Sequence, residues 1–269
     1  MEPLLRNSLQ IEKHETIYGT FYCWAGDLIT TQLTKYSAHT RNELAMVRSF
    51  IQNGDNILDI GAHIGTFSIP FSLFNGGKGR IFAFEANSDN YELLKKNILE
   101  NGAENIVFPV KAVVSHEQAD FSMKLPENGN SGMYYFSPVA HATDGRNSLS
   151  IRMDDWYSEN IAGMPVDFIK IDVEGAELSV LRSCENIIRT YHPALYIEIN
   201  AAALQRFGAS CDEIDSLLKQ SGYHFFRNTG ERNSTNDNFT VAPLDALGQG
   251  GEFFDVIALH PSRTDRLIS

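Results

Sequence analysis

The residues 166–178, VDFIKIDVEGAEL, pass from an apolar run into a cluster of acids. Val166, Phe168, Ile169 and Ile171 read as a buried strand, and Asp172, Glu174 and Glu177 follow around Gly175. Asp172 ends that strand, where a side chain can meet both a bound cofactor and an acceptor. Glu174 and Glu177 stand one helical turn apart at a helix start. Anions are favoured there by about 0.3–1 kcal/mol each, so these acids also have a structural role open to them. Glu174 leans toward chemistry because Gly175 permits close approach, while Glu177 divides evenly between structure and function. Glu198 and Asn200 end the next strand, ALYIEIN. The expected catalytic set is Asp172, Glu174 and Glu198. Asp172, Glu198 and Asn200 could also converge as oxygen ligands for Mg²⁺ or Ca²⁺, a minor alternative.

A second group lies upstream. The strand NILDI delivers Asp59, Gly61, Ala62, His63, Gly65 and Thr66. Gly61 and Gly65 allow a sharp turn and a close backbone approach. A dinucleotide fingerprint needs glycine where this chain has His63 and Thr66. Asp59 would repel a pyrophosphate and attract a cation. Glu85 ends the following strand, placed to accept both hydroxyls of a ribose. Together these ask for a nucleoside without phosphates and with a cationic tail, the character of S-adenosylmethionine. His63 reads as a local hydrogen-bonding group more readily than as a catalyst.

Strands and helices must alternate to hold these groups. Strands are expected at 56–60, 80–85, 105–115, 166–171, 194–200, 224–228 and 252–260, with Pro109 marking an edge or a bend. Helices are expected from Thr40 to about Phe50, from Ile64 to Phe74, after a Ser88 cap, from Ala176 to Tyr191 and from Asp212 to Gly222. The alternation implies an α/β, doubly wound, mostly parallel sheet with ligands beyond the strand carboxyl ends. Residues 1–39 form a lead-in or cap with a strand or hairpin at 18–26, and residues 40–269 a single domain. An irregular insertion, about 124–149, has the character of a lid.

The 269 residues carry 22 Lys+Arg against 34 Asp+Glu, a net charge of −12. That surface disfavours nucleic acid as a partner. Three scattered cysteines show no metal or redox spacing. No segment has the length of a membrane span and the N-terminus lacks a signal-peptide core, so a cytoplasmic protein without membrane insertion is expected, with homo-oligomers open.

ILDIGAHIGTFSI, IFAFEANSDNYELLKKN and DFIKIDVEGAELSVLRS, in this order, resemble the FkbM family of S-adenosylmethionine-dependent methyltransferases over about residues 40–200. The K-I-D-V-E-G-A-E block is the specific part. The resemblance implies a Rossmann-like class I fold with a seven-stranded sheet whose last strand, EFFDVIALH, inserts antiparallel. It also implies O-methylation of a hydroxyl on a sugar, a glycan or another natural product. Asp59, Gly61 and Gly65 would line the methionine side, Glu85 would hold the ribose, Ala86 and Asn87 would flank the adenosine, and Ala112 would lie near the adenine. The cofactor-binding set is therefore Glu43, Asp59, Gly61, Ala62, His63, Gly65, Thr66, Glu85, Ala86, Asn87, Ala112 and Asp172. Where the family often has Pro and Asn, this chain has Ala86 and His63. Tyr18, Phe21, Tyr22, Trp24, Met133, Tyr134, Tyr135 and Phe136 are candidates to cover the acceptor. Candidate bases are His39, His141 and Asp172. The competing readings are a nucleotide-sugar or NAD enzyme, a non-catalytic binding module, and methylation of a protein or peptide.

Overall fold

The computed structural model describes residues 10–117, 119–124, 135–139 and 150–266. Met133, Tyr134 and His141 lie outside the described residues. In chain order, β1 (Ile11–Thr16), β2 (Gly19–Trp24), α1 (Leu28–Tyr36) and α2 (Arg41–Arg48) precede the first central strand, β3 (Ile57–Ile60). Then come α3 (Ser68–Phe74), β4 (Ile81–Glu85), α4 (Ser88–Glu100), β5 (Val107–Lys111), β6 (Val113–Val114), β7 (Asp120–Lys124), β8 (Tyr135–Val139), β9 (Ser150–Ile151) and α5 (Met153–Asn160). The second half holds β10 (Phe168–Ile171), α6 (Glu177–Ser183), α7 (Glu185–Tyr191), β11 (Ala194–Asn200), α8 (Ala201–Arg206), α9 (Cys211–Gln220), β12 (His224–Asn228), β13 (Val241–Leu244) and β14 (Phe253–Leu259).

The central sheet runs β13-β12-β14-β11-β10-β3-β4-β5. From β11 to β5 every pairing is parallel, and β14 lies antiparallel between β11 and β12. This is the class I methyltransferase arrangement with the expected inserted strand. One strand was not expected: β13, from the polar stretch after β12, adds an antiparallel edge and makes eight. Strand order reverses between β3 and β10, so a crevice opens beyond their carboxyl ends.

Alternation along the strands divides the core. Ile57 and Phe168 pack on one face with Leu33, Val47, Phe71 and Leu94. Leu58, Ile60, Ile169 and Ile171 pack on the other with Leu181 and Ile188. Asp59 and Lys170, direct register partners, share the first face. Pro109 sits on β5, the sheet edge, where its missing N–H breaks no ladder.

The lead-in is bound through an asparagine face on α4. Asn97 and Asn101, one turn apart, exchange hydrogen bonds with the main chain of Tyr22 and Thr20 at 2.7–3.1 Å, as a neighbouring strand would. Asn90, further along that face, accepts from the Trp24 indole at 3.0 Å. Phe21 and Trp24 are buried there with Tyr18. Hence Tyr18, Phe21, Tyr22 and Trp24 tie the hairpin to the domain and do not line the cavity described below.

Several helix ends differ from expectation. α3 begins only at Ser68, because residues 61–67 are consumed by a glycine turn. Asn87, not Ser88, caps α4, accepting from the Asp89 and Asn90 amides. Thr40 precedes α2 in a left-handed conformation and caps nothing with its hydroxyl. The expected helix 176–191 is two short helices broken at Cys184. Part of the irregular insertion is regular, since β7 and β8 form an antiparallel hairpin. Cys23, Cys184 and Cys211 are free thiols. Among the described residues no helix is long and apolar enough to cross a membrane.

Candidate functional site

A cavity of about 980 Å³ opens beyond the carboxyl ends of β3, β4, β10 and β11. Its geometry begins at two turns. After β3 the chain reverses at Gly61 (φ 82°), and the Gly61 and Ala62 amides donate to Phe84 O. A Cβ on Gly61 would fall 1.8 Å from the carbonyl oxygen of Asp172, so only glycine lets these two strand ends approach. His63 follows with φ 52° and its amide donates to Glu85 Oε2 at 2.8 Å. Glu85 Oε1 accepts from the Asn87 amide at 2.7 Å. The Glu85 carboxylate thus joins the turns after β3 and β4, and each oxygen keeps a lone pair for a further donor. Burial, against those two amide hydrogen bonds, pushes the Glu85 pKa up to about 7.

A residue that the sequence reading passed over organises the floor. Lys170 is 2 % exposed within the apolar strand β10. Its ammonium donates to Gly61 O at 2.7 Å and lies 3.4 Å from both Asp59 Oδ1 and Asp172 Oδ2. Asp59 is fully buried and its second oxygen accepts from Ser68. The cation that Asp59 meets is therefore Lys170, and Asp59 lies beneath the cavity wall. The signal was present in the sequence as a lysine inside a central strand, a position that requires partners for its charge.

Of the expected cofactor set, Gly61, Ala62, His63, Thr66, Glu85, Ala86, Asn87, Ala112 and Asp172 line the cavity. Glu43 does not: it faces the second half of the sheet, where Oε1 accepts from Asn228 at 3.0 Å. Burial and the nearby Asp255 raise it to about 8. Gly65 is also off the wall; it lets the turn press against Leu94 of α4, which a Cβ would meet at 2.8 Å.

On the other side of Asp172 lie Glu174 and Glu198. One carboxylate oxygen from each of the three comes within 4.8 Å of the others. Glu174 has φ 57° and Gly175 φ 111°, with no room for a Cβ beside Ala203 O. Glu177 secures this turn: its Oε1 accepts from the Val173 and Gly175 amides at 3.2 and 3.0 Å, a structural part for the acid that divided evenly. Burial, then the neighbouring Asp172, raises Glu174 to about 8. Burial with Asp172 and Asp255 holds Glu198 well above the carboxylate range. For Asp172 burial works upward, but Lys170 and Arg232 prevail and hold it below its ordinary value.

Arg232 comes from the polar stretch after β12. Its guanidinium bridges Glu198 (3.0 Å) and Asp255 (3.1 Å) across β11 and β14. The stretch is pinned to α2: the Asn42 amide donates to Arg232 O at 3.2 Å and Arg41 pairs with Asp237 at 2.7 Å. No short sequence spacing links residues 232 and 198, so only the fold brings them together. Asn200 reaches the wall, but its Oδ1 caps α8 through the Ala203 amide at 3.1 Å. With Asn200 so engaged and Lys170 and Arg232 already beside the acids, the donor set does not favour a hard dication. His39 lines the cavity, with Nδ1 3.1 Å from Thr66 Oγ1. Burial and then Arg232 depress its pKa to about 3, leaving a neutral ring of low basicity. Tyr135, Phe136, Phe207 and Phe253 supply aromatic lining.

Residues 59–225 match the family model for the methyltransferase FkbM domain. Over 184 residues the chain is 27% identical to the hexuronic acid methyltransferase AglP of Haloferax volcanii, an alignment covering 67% of this chain and 70% of the relative. A shorter stretch of 64 residues, 24% of this chain and 33% of the relative, is 33% identical to a probable cobalt-precorrin-6B C(15)-methyltransferase of Sulfurisphaera tokodaii. Among solved structures, the methyltransferase FkbM from Methylobacillus flagellatus superposes with a TM-score of 0.48 at 14% identity. It covers 79% of this chain, which spans about half (48%) of that one. The glycine turn tied to Glu85, the eight-stranded order with β14 inserted and the family match over 59–225 converge: the chain belongs to the FkbM family and is an S-adenosylmethionine-dependent methyltransferase.

Proposed function

We propose that the enzyme methylates an oxygen of a sugar, with Asp172 at the point of transfer and the cofactor held between the β3 and β4 turns. The observation that carries this reading is the position of Asp172. It lines one cavity with both Glu85 and the acceptor-side acids Glu174 and Glu198. The cofactor fits that cavity. Glu85 offers free lone pairs to ribose hydroxyls, and Ala86, Asn87 and Ala112 leave room for the adenine. Gly61 exposes backbone where the amino-acid end would lie. When bound, S-adenosylmethionine supplies an electrophilic methyl on a sulfonium, whose leaving group is neutral.

The protein's part is to orient the acceptor and to take its proton. A hydroxyl becomes strongly acidic as its oxygen gains a methyl, so an ionised carboxylate of low pKa suffices as base. Against burial, Lys170 and Arg232 hold Asp172 below its ordinary value and so favour its ionised form, while burial raises Glu198 beside it. Alignment of the acceptor against the methyl group can contribute about 7–11 kcal/mol. Three carboxyl groups within 4.8 Å are suited to several hydroxyls of one ring, and the aromatic lining is suited to its apolar face. The relative that methylates a hexuronic acid supports a sugar acceptor.

The test is transfer of labelled methyl from S-adenosylmethionine to a panel of oligosaccharides, with the product's linkage assigned by NMR. Asp172→Asn is expected to lower kcat by about 10²–10⁴-fold with the melting temperature little changed. Methyl found only on carbon or nitrogen, or unchanged turnover in the variant, overturns this reading.

A further inference from the structure

Three arginines reach the acceptor side of the cavity, and two are already matched by acids. Arg232 is held by Glu198 and Asp255, and Arg182 lies 3.6 Å from Glu213. Arg206, the last residue of α8, is exposed, and its guanidinium has no hydrogen bond or ion pair among the described residues. Its guanidinium carbon lies 5.0 Å from the centre of the Tyr135 ring, and that ring meets Phe207 edge-on at 5.9 Å. Glu174 feels the charge of Arg206 electrostatically but forms no ion pair with it. An arginine laid on an aromatic ring keeps its in-plane N–H donors free, and their fork matches a planar oxyanion.

We infer that the acceptor sugar carries a carboxylate and that Arg206 binds it, so that Arg206 selects acidic over neutral sugars. This rests on the sugar assignment above; a carboxylate agrees with the hexuronic acid of the relative, and the step beyond it is the residue that would bind that group. Among the described residues one guanidinium on this wall is unmatched by an acid, and it balances one negative charge. A dianionic phosphate would face the ionised Asp172 and a protein of net charge −12 with only half its charge met. Glu174 and Glu198, both held toward their protonated forms, do not oppose a carboxylate. Phe253, 52% exposed on the same wall and 4.9 Å from the Arg232 guanidinium, offers a face for the sugar ring.

The experiment compares methyl transfer to uronate-containing oligosaccharides with transfer to the same oligosaccharides after chemical reduction of each carboxyl to a primary alcohol. Wild-type enzyme is expected to favour the uronates by about 10- to 100-fold in kcat/KM, the range of a hydrogen bond to a charged group. Arg206→Gln should erase that preference, chiefly through KM, and Arg206→Lys should restore part of it. Calorimetric titration with S-adenosylmethionine reports whether each variant is folded. Equal use of both series by wild type, or a preference that survives in a cofactor-binding Arg206→Gln, overturns the carboxylate and leaves the sugar reading standing. Methyl transfer to no sugar of either series, by enzyme that binds S-adenosylmethionine, overturns both.

Discussion

Lys170 is the side chain on which the arrangement of the floor most depends. Its charge is surrounded by Asp59, Asp172 and the Gly61 carbonyl, at 3.4, 3.4 and 2.7 Å. Burying an ammonium is costly unless its charge is paired, and here one N–H is met by the Gly61 carbonyl while two carboxylates balance the charge. Lys170 also offsets one of two acids that would otherwise repel each other across the strand register. Removing it leaves a wholly buried Asp59 without its cation. Lys170→Met is therefore expected to destabilise the protein by about 3–5 kcal/mol. Urea unfolding followed by circular dichroism measures this, and a loss below about 1 kcal/mol would show that Asp59 does not need the charge.

At the scale of elements, two turns and one loop build the site. The β3 turn works because Gly61 has a positive φ and no Cβ, which places Asp172 O against it. Gly61→Ala is expected to force β3 and β10 apart at their ends and to cost about 1–3 kcal/mol in strain. Affinity for S-adenosylmethionine, measured by calorimetry, should fall beyond detection while far-UV circular dichroism stays near wild type. Wild-type affinity in that variant would show that the contact tolerates a methyl. The loop after β12 was legible only as polar and Asn-rich. Its contribution is Arg232, carried to Glu198 and Asp255 by contacts with α2. The helix ends misjudged in the sequence have local causes: Asn87 outcompetes Ser88 as cap, and the glycine turn takes the first residues assigned to α3.

For the molecule as a whole, the site places several ionisable acids out of water, and stability should depend on pH accordingly. Burial first, and then Asp255, raises Glu43 to about 8; burial raises Glu85 to about 7; both start from 4.5. Between those values the folded chain binds more protons than the unfolded chain, so stability falls as pH rises. The contribution is present in full below about 4.5 and is lost as pH passes through 7 to 8. Without cofactor, the melting temperature is expected to decline from about pH 5 to about pH 9, and Glu43→Gln should flatten the upper part of the decline. A melting temperature that rises over that interval contradicts the burial assigned to these acids.

The antiparallel insertion of the last strand was implied by the family resemblance, whereas the doubly wound sheet, the glycine turn and the pairing of Asp59, Glu85 and Asp172 with strand ends were readable in the sequence itself. Each depends on local pattern: apolar runs of strand length, glycines where φ is positive, and acids where a strand stops. The tertiary structure alone decided which charges meet. Asp59 faces Lys170 because β3 and β10 are neighbours in register, and Glu43 lies away from the cavity wall because α2 points it at Asn228. Arg232 reaches Glu198, and Arg206 lies on the Tyr135 ring without an acid among the described residues, for the same reason. Electrostatic partners are set by distance in space, and residues 59 and 170, or 198 and 232, become close only when the sheet is assembled.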